Sequence, residues 1–311
     1  MGMRRIVAGV AVLGAGLAAL TAPVPAGAMP GCPEVTVRQA LPAPTPVLSW
    51  AENIGFDRAG GLWVSRGQQN RIERYDGAGR RTAVVRVDAP GAVRPGPDGR
   101  MYATAGNSVA GLLPVRRGAV VSFDPAAAAP TVRTVTEGLG MPNGLAFADD
   151  GVMYVADSAL GLLRIGRDGR IDHAWSARAP KSLSPTPTVN GVLLNGLAIR
   201  DGVAYVSLLE SLSGRVLQVP LDRPEATSVA ADVTAPLPGL IDDLAWLDGW
   251  RLAVTTTTGQ LVVLERRSGR RCVVNTGRPL TSIAVTPGGR SAMVGTVDGA
   301  VLQLQGGPFA A

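Results

Sequence analysis

Five polar residues occupy matching points of a repeated pattern: Glu52, Asn143, Asn195, Asp242 and, one place further on, Asp243. The first four lead short apolar alternations, in "ENIGF", "NGLAF", "NGLAI" and "DDLAW". Asn-Gly ordinarily marks a tight hairpin turn, because both residues tolerate positive φ. Here a separate turn, Asp149-Asp150-Gly151 or Arg200-Asp201-Gly202, follows the alternation and already reverses the chain. That leaves the Asn side chain for another role. If the strands that these residues lead converge, two carboxylates and two amide carbonyls meet as an all-oxygen set with two formal negative charges. Such a set suits Ca²⁺, which accepts about 6–8 oxygens, rather than Zn²⁺, which prefers His or Cys. A cation held there polarises a carbonyl group toward attack by water. Asp243 is the candidate general base, with Glu52 behind it.

What must hold such residues together is visible as a repeat. After the first 28 residues helical periodicity is almost absent. The chain runs instead through units of an apolar alternation, a Gly/Asp turn, a strand carrying an aromatic, a loop, a third strand, a turn and a fourth. Anchored on the second strand, the units read "GLWVS" at Trp63, "RMYAT" at Tyr102, "VMYVA" at Tyr154 and "VAYVS" at Tyr205, followed by "RLAVT" (251–255) and "SAMVG" (291–295). The successive steps from Trp63 through Tyr102 and Tyr154 to Tyr205 are 39, 52 and 51 residues. Four short strands at that period predict an all-β chain, a six-bladed β-propeller. Its first strands, which line the central channel, are "ENIGF" (52–56), "GAVRP" (91–95), "NGLAF" (143–147), "NGLAI" (195–199), "DDLAW" (242–246) and "TSIAV" (281–285). Fourth strands follow in the first five blades, the third of them in the segment "IDHAWS". The sixth blade lacks one before Gly306-Gly307-Pro308, and "EVTVRQA" (34–40) is expected to supply it. That closure removes an unpaired sheet edge.

Composition limits the function classes. Met1–Arg5 is a short basic segment, an apolar run follows from Ile6 to Leu20, and Ala26-Gly27-Ala28 offers a small-residue cleavage site. This is the pattern of a secretory signal peptide. The expected organisation is a signal over 1–28, a closing strand and linker over 29–48, the propeller over 49–305 and a C-terminal tail over 306–311. The net charge of +6 is scattered through turns such as Arg80-Arg81 and Arg266-Arg267, with no basic stripe interleaved with aromatics, which argues against nucleic-acid binding. Two cysteines in an exported chain predict one disulfide, Cys32–Cys272, placed where the closing strand meets the perimeter of blade five. The single histidine, His173, falls in an outer-strand segment and is expected at the surface or between blades.

The register "AENIGFDRAGGLWVS", "MPNGLAFADDGVMYVADS", "LLNGLAIRDGVAYVS" and "LIDDLAWL" resembles the six-bladed calcium-dependent lactonase superfamily of gluconolactonases, senescence-marker-type regucalcins and paraoxonases. The likeness spans nearly all of the chain after residue 28, apart from the connecting loops. It implies that Glu52, Asn143, Asn195 and Asp242 hold a catalytic calcium, and it puts Asp243 where paraoxonases use an Asn. It also puts Asn107, on the long loop 105–118, near a substrate-contacting Asn of gluconolactonases. The sequence departs from the pattern too. Asn195 stands where gluconolactonases usually have Asp, no His dyad is available, and Asn53 and Gly144 replace the acids of a second, structural calcium. Leu112, Leu113, Pro114 and Val115 on loop 105–118, and the linker 179–194, are expected to rim the entrance. Asp157 and Glu210 are expected there as solvated charges. The expectation is therefore an exported monomer acting on a small-molecule lactone or ester, with no membrane attachment after signal removal. A secreted propeller that binds a ligand or a protein partner without chemistry is the alternative. Buried oxygens in a channel also bind water, and propellers serve unrelated functions.

Overall fold

The computed structural model describes residues 30–310 apart from Val47, Val115 and Pro236, so the signal-peptide reading of 1–28 lies outside the described residues. Six antiparallel sheets are arranged around a channel, five of four strands and one of three. The innermost strands are Asn53–Phe56, Val93–Pro95, Pro142–Phe147, Gly191–Arg200, Ile241–Trp246 and Leu280–Val285. Each touches its neighbour around the ring, and the sixth touches the first. This is the six-bladed β-propeller.

Alternation explains the packing. Each blade turns apolar residues toward both neighbours, so the core lies between blades and not within one of them. The second-strand aromatics that reveal the repeat are its rivets. Trp63 meets Phe123 of the next blade at 4.9 Å between ring centroids, Tyr102 meets Phe147 at 5.0 Å and Tyr205 meets Trp246 at 5.0 Å. Close approach of the inner strands requires glycine. A Cβ at Gly55 would stand 2.2 Å from the Val93 carbonyl oxygen, and one at Gly144 would stand 2.3 Å from that of Asn195.

Blade three departs from the expected pattern. The segment read as its outer strand forms a short helix, His173–Arg178. Asp172 caps it by accepting from the Trp175 amide at 2.9 Å, and Arg164 pairs with the same Asp at 2.7 Å. An N-cap of this kind favours helix entry over continued extension. Trp175 then fills the space between blades three and four, with its ring 5.2 Å from Tyr154 and its indole N–H bonded to the Leu221 carbonyl at 2.8 Å. His173 is exposed at the start of this helix, on the periphery.

The ring is fastened at its seam by three devices. Thr36–Leu41 pairs antiparallel with Val301–Gln305, which makes it the outer strand of the sixth sheet. Residues 30–32 run beside blade five, with the Cys32 amide on the Val273 carbonyl at 2.9 Å, and the Cys32–Cys272 disulfide closes there. Arg66 and Glu73, both fully buried, pair at 2.9 Å, and Arg66 Nη1 donates to the carbonyls of Ser49 and Gly299 at 2.7 Å each. Blade one is thereby tied to blade six. Phe309, next to the C-terminus, is buried in the same seam cluster with Cys32 and Val35 beside it.

The disulfide closes a separation of 240 residues. In the chain-entropy model a loop of that length stabilises the fold by about 5 kcal/mol. Cys272→Ser is therefore expected to lower the unfolding free energy by several kcal/mol in denaturant titration, with no change in native circular dichroism. Equal midpoints for the variant and the parent chain would contradict the latch.

Candidate metal centre

The residues singled out in the sequence come together at the leading ends of the inner strands, and the backbone there is irregular in a consistent way. The strand register slips between Pro142 and Gly144, between Leu194 and Leu197, and between Ile241 and Leu244. Asn143, Asn195 and Asp242 sit in those three slips. A β-bulge leaves one residue unpaired and re-aims its side chain, and bulges collect beside functional sites.

Hydroxyls on neighbouring elements hold the displaced backbone. Thr104 of blade two donates to the Asn143 carbonyl at 2.9 Å, and Ser158 of blade three to that of Leu194 at 2.9 Å. Ser207 of blade four donates to the Asp242 carbonyl at 2.5 Å. Within blade five, Thr255 Oγ1 accepts from the Asp243 amide at 2.9 Å. Blades two, three and four thus fix the backbone at the head of the next blade's inner strand. Gly196 completes the fit, since a Cβ there would come 2.6 Å from Asp243 Cα.

At the mouth, Glu52 Oε1 accepts from Asn143 Nδ2 at 3.2 Å and from Asn107 Nδ2 at 2.7 Å. Asn107 therefore reaches the ring from loop 105–118 and touches Glu52. Burial pushes the Glu52 carboxyl up to about 7; the two amide donors oppose this, and the Asp243 charge adds to it. Asp242 is also raised well above the ordinary range, by burial and then by the charges of Glu52 and Asp243, against the Asn195 amide. Among the described residues no three His, Cys, Asp or Glu side chains group as a metal site by themselves. The set that converges is mixed, carboxylates with amides.

Asp243, beneath the ring, is buried and divided in use. Its Oδ2 accepts from Arg94 Nη2 at 3.0 Å, from the Ile283 amide at 3.2 Å and from Asn53 Nδ2 at 3.3 Å. Its Oδ1 has no protein donor, and neither do the buried Asn195 Oδ1 and Asn107 Oδ1. Orphaned buried acceptors cost free energy unless something outside the chain satisfies them. Two carboxyl groups raised by burial and by neighbouring negative charge, beside the Asn195 and Asn107 amide oxygens that lack donors, fit a hard cation and an all-oxygen shell.

The rim differs in part from expectation. Asp157 is not a solvated charge. It is fully buried, and its carboxylate accepts from the amides of Gly140, Met141, Ala159 and Leu160, which organises two loops. Glu210 is exposed. Leu112 and Leu113 are exposed on loop 105–118, whereas Val115 lies outside the described residues. Beside Asn195 the strand pair of blade four continues past the ring, from Arg200 opposite Val203 up to Gly191 opposite Ser211. This adds a wall where the sequence suggests only a linker. Sequence reasoning also passes over Arg94, whose signal is a lone cation in an otherwise apolar inner strand, and the Ser and Thr that recur in the second strands.

No protein-family model matches the sequence, and neither does any curated protein. Solved structures do match. A gluconolactonase from Xanthomonas campestris superposes with a TM-score of 0.62 at 15% identity, over 88% of this chain and 90% of that one. A luciferin-regenerating enzyme gives 0.64 at 14%, over 88% and 95%. Virginiamycin B lyase from Staphylococcus aureus gives 0.61 at 10%, over 88% and 99%. The likeness is one of fold. Different chemistries share it, so function must be argued from the ring.

The raised carboxyl groups give a signed pH dependence. A carboxyl whose folded pKa exceeds its unfolded one keeps its proton longer when folded, so metal-free stability falls as pH rises from about 4.5 to about 7. Asp57 and Glu73 act oppositely. Burial there is outweighed by hydrogen bonds from Arg74 and Trp63 and from Tyr75 and Arg66, so their contribution is already full above pH 5. The melting temperature of chelator-treated protein should therefore decline between pH 5 and pH 7.5, and the decline should flatten in Glu52→Gln. A melting temperature that is level or rising across this window would contradict the burial of these acids.

Proposed function

We propose that the chain is an exported hydrolase of lactones or simple esters that uses a divalent cation, Ca²⁺ by its oxygen donors. Glu52, Asn143, Asn195 and Asp242 would hold the ion. The observation that carries this reading is the convergence of four oxygen-bearing side chains from four blades, three of them on bulges, with the buried Asn195 Oδ1 left unpartnered among them and Asn107 Oδ1 and Asp243 Oδ1 unpartnered beside them. The three fold neighbours include a gluconolactonase, a compatible activity on the same scaffold. The disulfide favours an oxidising compartment. Among the described residues no helix is long and apolar enough to cross a membrane.

The chemistry supplied by a bound cation is Lewis-acid polarisation of the substrate carbonyl and stabilisation of the negative charge that develops on its oxygen. The protein's own residues orient the rest. Asn107 reaches the ring beside Glu52, where its Oδ1, which has no protein donor, would meet a polar group of the substrate. Asp243 is the base that we assign. Arg94, Asn53 and the Ile283 amide fix one of its oxygens, which leaves Oδ1 to orient the attacking water and take its proton. Exposed Leu112 and Leu113 offer an apolar wall for the non-reacting part of a substrate.

A non-catalytic binding role is the second reading, and one observation favours it. The only imidazole, His173, is on the periphery, so no histidine serves the channel.

Purified protein assayed on aliphatic γ- and δ-lactones and on aryl acetates separates the two. Turnover is expected to vanish with chelator and return with Ca²⁺, and Asp242→Ala should abolish Ca²⁺ binding together with at least about a hundredfold of kcat/KM. Turnover that survives in Asp242→Ala while Ca²⁺ binding is lost would sink the mechanism. Calcium-dependent ligand binding without turnover would favour the second reading.

A further inference from the structure

Arg94 stands on the inner strand of blade two, and its strongest partner, Asp243, stands on the inner strand of blade five, directly across the ring. The side chain therefore spans the channel. Nη2 donates to Asp243 Oδ2 at 3.0 Å, and Nη1 donates to the Ile54 carbonyl at 2.8 Å, to the Val93 carbonyl at 3.1 Å and to Asn53 Oδ1. The ends of the pair retain 18% and 2% of their side-chain exposure. At the same level Ile283 of blade six donates its amide to Asp243, while blades three and four present Gly144 and Gly196. Arginine suits this place because its planar fork serves several acceptors at once and keeps its charge.

We propose that Arg94 is a fixed cation built into the channel, the permanent counter-ion of Asp243. Three carboxyl groups stand near one another here, and Arg94 neutralises one of them. A metal ion held at the ring then has two carboxylates to neutralise, Glu52 and Asp242, rather than three. Arg94 touches neither ion nor substrate in this arrangement. It is a positioning residue, acting through Asp243 by holding Oδ2 and leaving Oδ1 free.

The part of this inference that concerns ion affinity rests on the metal reading above; the part that concerns the pair does not. Arg94→Met, Asp243→Asn and the double variant Arg94→Met/Asp243→Asn decide both. In chelator, Arg94→Met should melt well below the parent chain, because it leaves a buried carboxylate uncompensated, and the double variant should recover most of that loss. Recovery of nothing by the second substitution would overturn the pairing, whether or not any ion binds. In calorimetric titration with Ca²⁺, Arg94→Met should bind about tenfold tighter or more than the parent chain, since one uncompensated negative charge is added near the ion. The double variant should return to within about threefold of the parent. Equal or weaker Ca²⁺ binding by Arg94→Met would overturn the counter-ion role. If Arg94→Met alone does not fold, the double variant still tests the claim: it must fold and bind Ca²⁺ like the parent, and a tenfold loss there overturns the proposal. Silent titrations in all chains, the parent included, with the melting pattern intact would instead remove the metal reading and leave Arg94 as counter-ion to Asp243.

Discussion

Like charges brought close together out of water do not stay ionised without a counter-charge, and this constraint governs the centre of the molecule. Glu52 and Asp242 come from blades one and five, yet the charge of Asp243 bears on both, and that of Glu52 bears on Asp242. Asp243 is neutralised from within, by the guanidinium of Arg94. Among the described residues neither Glu52 nor Asp242 has a basic partner, so in the bare protein burial and neighbouring charge make them keep protons that carboxyl groups in water would release. Such a pair, with the unpartnered amide oxygens of Asn195 and Asn107 beside it, is what the proposed cation would satisfy.

Everything outside the channel serves to hold those few atoms still. Bulges turn Asn143, Asn195 and Asp242 off the strand register, and a hydroxyl on each neighbouring blade satisfies the carbonyl that the bulge would otherwise strand. Glycines at the inner strands let the blades approach until a methyl group would collide with the next backbone. A displacement of one blade would then shift the ligand on its neighbour. The Thr36–Leu41 strand, the disulfide and the buried Arg66–Glu73 clamp therefore matter to the channel as well as to stability, because they hold the N-terminal segment and blade one against blades five and six.

Much of this was legible in the sequence, for identifiable reasons. The repeat is written in four second-strand aromatics that each fill one interblade gap, and the apolar alternations of "RLAVT" and "SAMVG" continue it, so the blade count and most strand positions follow from the pattern. The two cysteines could be paired because ring closure brings their segments together. The convergence of Glu52, Asn143, Asn195 and Asp242 followed from register alone. What stayed hidden depends on contacts between residues distant in the chain. The helix at His173–Arg178 reflects a local cap that overrides an apolar alternation. Asp157 reads as a rim charge until the four amides that it collects are seen. Arg94 is 149 residues from Asp243, and nothing in "GAVRP" announces its partner.

The central claim is that one hard cation belongs at the mouth of this ring. A crystal structure of the protein grown with Ca²⁺ tests it most directly. The account predicts a single strong, anomalously scattering peak with oxygens of Glu52, Asn143, Asn195 and Asp242 at about 2.3–2.6 Å and waters completing the shell. Water alone among those four side chains, at saturating Ca²⁺, would contradict it.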